Sequence, residues 1–143
     1  MQQDAIARFA RYFEQLQPAD VARLGQYYAA DARFKDPFND VRGVPAIARI
    51  FRHMFEALDQ PRFVITQQLL QGNDAFLSWE FTFRFKRFRR DQLQRIEGAT
   101  HIKFDDAGLV TLHRDYWDAA EELYEKLPLV GGLMRWLKAR TQR

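Results

Sequence analysis

The sequence predicts an α+β domain: a curved antiparallel sheet with helices on one face, and an added C-terminal helical tail. Three observations predict it. Up to about residue 58, apolar side chains recur at spacings of three and four, the mark of amphipathic helices. From Phe63 onward the pattern changes to alternation between turn signals, the mark of strands. The clearest alternation sets Leu77, Trp79, Phe81, Phe83 and Phe85 against Ser78, Glu80, Thr82, Arg84 and Lys86. So long a two-sided strand belongs in an antiparallel sheet with one face on apolar material. Helices first and a meander second puts the helices on one face of the sheet.

Each element follows from local chemistry. Residues 4–17 form a helix through Ile6, Phe9, Tyr12, Phe13 and Leu16, with Asp4 in the first turn, where the helix dipole favours an acid. Pro18-Ala19-Asp20 breaks the chain and starts a second helix carrying Val21, Leu24, Tyr27 and Tyr28. Residues 31–36 are extended and 39–43 turn. A third helix sets Ile47, Ile50, Phe51, Met54, Phe55 and Leu58 on one face, until Pro61 ends it. Strands then cover 63–70, about 77–86, about 95–104 and 109 to about 117. Gln71-Gly72-Asn73-Asp74 and Asp105-Asp106-Ala107-Gly108 supply turns between them. Residues 119–127 and 129–140 are helical, parted by Pro128. The α+β domain therefore spans 1–120, and 121–143 is an amphipathic helical extension of it.

The bulk numbers bound the function. A chain of 143 residues fits one domain and buries about two-thirds of its unfolded surface. With 47% hydrophobic and 29% charged residues, it has a globular composition and not a disordered one. Thirteen Phe are enough rings to form a heavy core or to line an apolar cavity. The absence of cysteine excludes disulfides and thiol catalysis. With no signal-peptide pattern at Met1-Gln2-Gln3-Asp4 and no spanning apolar run, a cytoplasmic location is expected. Arg84, Lys86, Arg87, Arg89 and Arg90, interleaved with Phe85 and Phe88, read as a solvated hairpin tip; one short cluster is a poor footprint for nucleic acid. No histidine pair has metal-ligand spacing, so neither metal nor cofactor is expected.

Two places carry candidate chemistry. In Phe34-Lys35-Asp36-Pro37-Phe38, proline disfavours the helical region for Asp36, which ends an extended segment with Phe34 on its side of the strand. Facing a cavity, Asp36 would be a desolvated proton shuttle; facing solvent, it would close an Asx-turn. On the last strand, Thr111, His113, Asp115 and Trp117 share one face by alternation. There Asp115 could orient the His113 ring inside a cavity, unless a bulge reverses parity and turns both outward to a dimer contact.

The residues Tyr27-Tyr28-Ala29-Ala30-Asp31-Ala32-Arg33-Phe34, Asp36-Pro37-Phe38, Gly43, Phe104-Asp105-Asp106-Ala107-Gly108 and Tyr116-Trp117-Asp118 resemble the nuclear transport factor 2-like superfamily. Within it, the pattern is most similar to ketosteroid isomerases and SnoaL-like polyketide cyclases. The resemblance covers nearly the whole chain to about residue 120. It implies a cone-shaped, curved antiparallel sheet wrapped around three N-terminal helices, with an apolar interior, homodimerisation through the sheet, and acid–base proton transfer on a hydrophobic carbonyl compound without cofactor. It implies Asp36 as the proton-shuttling aspartate and Tyr12 as the oxyanion donor. Trp117 becomes a pocket wall, Thr100 replaces the second oxyanion donor and Phe51 replaces a supporting tyrosine. That base-and-donor logic is the one ketosteroid isomerase exemplifies, and losing one preorganised donor costs about a hundredfold or more in rate. Phe34, Tyr28, Phe55, Trp79 and Phe81 complete the expected ligand wall. Separately, His113-Arg114-Asp115-Tyr116-Trp117-Asp118 resembles the segment supplying one acid of limonene epoxide hydrolases, with Asp115 on that acid. Glu80 and Thr82 stand where those enzymes have Arg and Asp. A superfamily that mixes enzymes with binders leaves a non-catalytic carrier of an apolar or lipid-like ligand, or a dimeric interaction module, as alternatives.

The tail sets Leu123, Leu127, Leu129, Leu133, Met134, Trp136 and Leu137 among Arg135, Lys138 and Arg140. Such a segment can fold over the cone mouth, pack on a second subunit or make peripheral contact with an anionic membrane; its short apolar stripe favours the first two.

Overall fold

The computed structural model describes residues 2–87 and 89–122. The tail assignments beyond 122 lie outside the described residues. The order is α1 (Gln2–Glu14), a 3₁₀ helix (Pro18–Gln26), β1 (Tyr28–Lys35), β2 (Asp40–Arg42), α2 (Val44–Ala57), β3 (Leu58–Gln71), β4 (Asp74–Phe85), β5 (Gln94–Phe104), β6 (Val110–Tyr116) and α3 (Ala119–Glu122). A single six-stranded sheet of order β2-β1-β6-β5-β4-β3 curves around the helices and does not close.

The expected antiparallel sheet is mixed. The β3–β4–β5–β6 meander is antiparallel throughout, but β1 runs parallel to β6. Hairpins force antiparallel pairing only between neighbours in sequence; β1 and β6 are separated by the whole meander, so no short loop sets their direction. The second helix is shorter and tighter than expected, because the chain extends already at Tyr28. The third strand starts five residues early, at Leu58, and carries Pro61. Proline is tolerated there because β3 is an edge strand, and a register shift between Asp59 and Arg62, with Gln60 at φ 52, absorbs it.

The helical faces bury where their spacing directs. Ile6, Phe9, Ala10 and Phe13 of α1, and Ile47, Ala48 and Phe51 of α2, join Tyr28, Phe34, Leu77, Ile102 and Val110 from the sheet. A second, smaller cluster holds Trp79, Phe81, Phe83 and Ile96, with Phe63, Met54 and Trp117 only partly covered. The first cluster is the main core and the second borders a cavity, so the long alternating strand β4 contributes Leu77 to packing and Trp79, Phe81 and Phe83 to the cavity wall. No helix among the described residues is long and apolar enough to cross a membrane.

Candidate functional site

The cavity beside the second cluster, of about 360 Å³, is walled by rings from four elements: Phe51 of α2, Phe63 of β3, Trp79, Phe81 and Phe83 of β4, and Trp117 just after β6. It continues inward to a pocket of about 20 Å³, bordered by Thr100, His113 and Asp115 and shared by Phe51, Phe63 and Trp79. That inner space is the size of one small polar group.

Register builds the polar end. Thr100 of β5 lies directly opposite Asp115 of β6, and Trp79 of β4 lies one diagonal step from Thr100, within reach of a long side chain. The Trp79 Nε1–H donates to Thr100 Oγ1 at 2.7 Å, and that hydroxyl donates to Asp115 Oδ1 at 2.5 Å. His113 Nε2 meets the same Oδ1 at 2.8 Å, and its Nδ1 lies 2.6 Å from the Tyr28 hydroxyl. A carboxylate oxygen accepts, so Nε2 carries the proton and Nδ1 accepts from Tyr28. The fully buried Tyr28 phenol is held neutral, its pKa raised well above 10, first by burial and then by the Asp115 charge. The chain of bonds thus holds the imidazole and the carboxylate in one fixed orientation.

Every donor in this network is spent on the protein. Asp115 alone keeps capacity: among the described residues no donor reaches its Oδ2, and that atom is not sealed from the surrounding space. The side chain is 17% exposed, against 5% for His113. His113 is caged by Phe34 at 4.5 Å, Phe9 at 5.6 Å and Phe13 at 5.7 Å between ring centroids, so it positions Asp115 from behind.

Asp36 sits at the cavity rim, but its Oδ1 takes three donors: Phe38 N–H at 2.8 Å, Asn39 N–H at 2.7 Å and Asn39 Nδ2 at 3.1 Å. The Asp36 N–H in turn donates to Asn39 O at 2.9 Å. Its carboxylate therefore closes the turn between β1 and β2, as the Asx-turn alternative required. Three other expectations are corrected. Tyr12 does not meet Asp36 at a common point: its hydroxyl donates to Asp20 O at 2.5 Å, in a separate polar cleft with Arg8, Arg11 and Arg23. Burial pushes that phenol up to about 12. Tyr28 supports His113 and does not line the cavity, because it belongs to a strand and points into the core. Phe55 borders an outer groove with Leu16 and Pro18; the offset of about 40° between i and i+4 on a helix carries it past the cavity that Phe51 faces. Phe34, Phe51, Trp79, Phe81 and Trp117 do line the cavity, and Thr100 the inner pocket. The Tyr28–His113 bond was missed, since 85 residues separate the partners and no local pattern links them.

The family model for the SnoaL-like domain matches residues 9–113. The chain belongs to the SnoaL-like domain family. No curated protein matches it. Among solved structures, a hypothetical protein of ketosteroid isomerase-like fold from Catenulispora acidiphila, in complex with trimethylamine, is 17% identical, with TM-score 0.71 over 83% of this chain and 88% of that one. A candidate SnoaL-like polyketide cyclase from a Jannaschia species is 14% identical, with TM-score 0.70 over 84% and 87%. An epoxide hydrolase of M. tuberculosis, like limonene epoxide hydrolase, is 16% identical, with TM-score 0.68 over 96% and 91%. At such identities these likenesses speak for the fold, and the SnoaL-like cone is what they share. No group of three or more His, Asp or Glu among the described residues is arranged to hold a metal ion.

Proposed function

We propose that this SnoaL-like protein binds a compact hydrophobic molecule in its aromatic cavity and takes a proton from it with Asp115. The single observation that supports this is a carboxylate at the wall of an apolar cavity, with one oxygen fixed by Thr100 and His113 and the other left to a ligand. Largely apolar pockets with one convergent polar group are the ordinary form of small-molecule sites. A base so held needs no reorganisation before it accepts a proton, and such groups contribute about 10²–10⁴-fold. The reaction class is proton transfer, as in isomerases and cyclases, with Asp115 in the role first expected of Asp36.

A second reading, a non-catalytic carrier, is favoured by one specific observation. Trp79, Thr100 and Tyr28 donate to protein atoms, and Tyr12 lies in another cleft. A developing enolate oxygen would therefore lack the preorganised donor that such chemistry normally uses.

A nitrobenzisoxazole probe separates the readings, because loss of its isoxazole C–H proton to a base forms a nitrile, breaks the ring N–O bond and releases a coloured phenolate. Saturable ring opening by the wild-type chain, lost in Asp115→Asn while probe binding persists, is the expected result. Binding with no ring opening above free carboxylate would leave the carrier.

A further inference from the structure

The charge balance of the cavity is one-sided. Of 143 residues, 22 are Lys or Arg, yet among the described residues none lines the aromatic cavity. Its wall carries Asp115, with Asp36 at the rim, and the one lining side chain able to gain positive charge is His53, exposed at the mouth. Among the described residues the partner of the Asp115 carboxylate is the His113 ring, and no Lys or Arg pairs with it. A charge in apolar surroundings without a countercharge is costly. A ligand of opposite charge offsets that cost.

The donor count points the same way. At the deep end the Trp79, Thr100 and Tyr28 donors are all engaged. The remaining lining donors belong to His53 and the half-buried Trp117. The deep end therefore presents one negative oxygen and several ring faces. A carbonyl, carboxylate or phosphate would find no partner there, whereas the negative face of a Trp or Phe ring attracts a cation within about 6 Å of its centroid. Phe51, Phe63 and Trp79 border both the inner pocket and the outer cavity, as Asp115 does.

We infer that the ligand is a hydrophobic amine or alkylammonium compound. Its positive nitrogen lies beside Asp115 among the rings of Phe51, Phe63 and Trp79, and its apolar body fills the space toward Phe81 and Trp117. A volume of about 360 Å³ is at the small end for ligand pockets, so the body is a single ring or a short chain. This rests on the cavity being the ligand site, and it names the class of molecule that site takes.

The test uses phenyltrimethylammonium and its uncharged isostere tert-butylbenzene on the full chain, read by the fluorescence of the cavity tryptophans and by calorimetry. The expected result is that the cation binds about tenfold or more tighter than the isostere. Asp115→Asn should then remove most of that preference and leave tert-butylbenzene affinity unchanged, which also shows that the variant is folded. If tert-butylbenzene binds the wild type as tightly as the cation, the amine assignment is overturned while the apolar cavity stands. If neither probe binds, the cavity is not a ligand site and the proposed function falls with it. Should Asp115→Asn fail to fold, the wild-type ratio alone decides.

Discussion

Two carboxylates face the same cavity and are put to opposite uses. Asp36 ends β1 in a four-residue turn, and its Oδ1 is occupied by three donors from within that turn. Asp115 lies on a strand between long neighbours; the donors on its Oδ1 come from across the sheet and from its own face, and its Oδ2 remains available. The difference teaches that a carboxylate is shaped by whether its hydrogen bonds are local. A turn can occupy an aspartate entirely through residues two and three positions away. A flat strand cannot, so the environment of its aspartate is decided by whatever the sheet brings alongside.

Four measurements bear on this contrast. The largest effect is expected from Asp115→Asn, which should lower ring opening of the nitrobenzisoxazole probe by about a hundredfold or more. Asp36→Asn should stay within about threefold of wild type, since an amide oxygen can still accept the turn N–H groups. Equal losses in the two variants would erase the distinction between the sites.

Next comes Gly98→Ala. A Cβ on Gly98 would lie 2.5 Å from Trp79 Cη2 and 3.1 Å from Trp117 Cβ, with Trp79 directly opposite across the strands. The ring must move, loosening its bond to Thr100. Destabilisation of about 1–3 kcal/mol is expected, with a change in tryptophan emission; an unaltered melting curve and spectrum would show that the Trp79–Thr100 geometry is not tightly held.

Tyr28→Phe removes the donor to the buried His113 Nδ1. Leaving that nitrogen unsatisfied should cost about 1–2 kcal/mol in chemical denaturation, and it should free the ring to change tautomer, visible in imidazole nitrogen shifts. Unchanged shifts would mean that Asp115 alone orients the ring.

The smallest effect is alkaline. Tyr12 is pushed up to about 12 and Tyr28 well above 10, in both cases chiefly by burial. The folded form keeps these protons after the unfolded chain begins to lose them near pH 10. Their contribution to stability is thus complete below about pH 10 and is lost as pH rises through the folded values. In an ultraviolet titration Tyr12 and Tyr28 should ionise only above the ordinary phenol range; their ionising near pH 10 would contradict the buried phenols.

Much of the molecule was legible without coordinates, and for a consistent reason. The two amphipathic helices, the meander and the turns at Gly72 and Gly108 depend on spacing and on positive φ of 60° and 81°, which neighbouring residues settle. The alternation likewise pointed to a shared face for His113, Asp115 and Trp117, but an irregularity between Val110 and Leu112 takes Thr111 out of it, where its hydroxyl donates to Lys103 O. What was not legible depended on direction and register. The parallel β1–β6 pair, the move of Tyr12 to Asp20 and the start of β1 at Tyr28 were settled by packing that no local pattern encodes.

By itself, then, the order of residues determined which segments are helical or extended, which faces are apolar, and that a carboxylate and an imidazole stand two positions apart on one strand. Only the tertiary structure decided that Thr100 would stand opposite Asp115, that Tyr28 would reach His113 from another part of the chain, and that Asp36 would be taken up by its own turn. The physical reason is the range of the forces. Propensity and periodicity act over a few residues, whereas a buried hydrogen-bond network needs partners whose positions are set by the closing of the whole sheet.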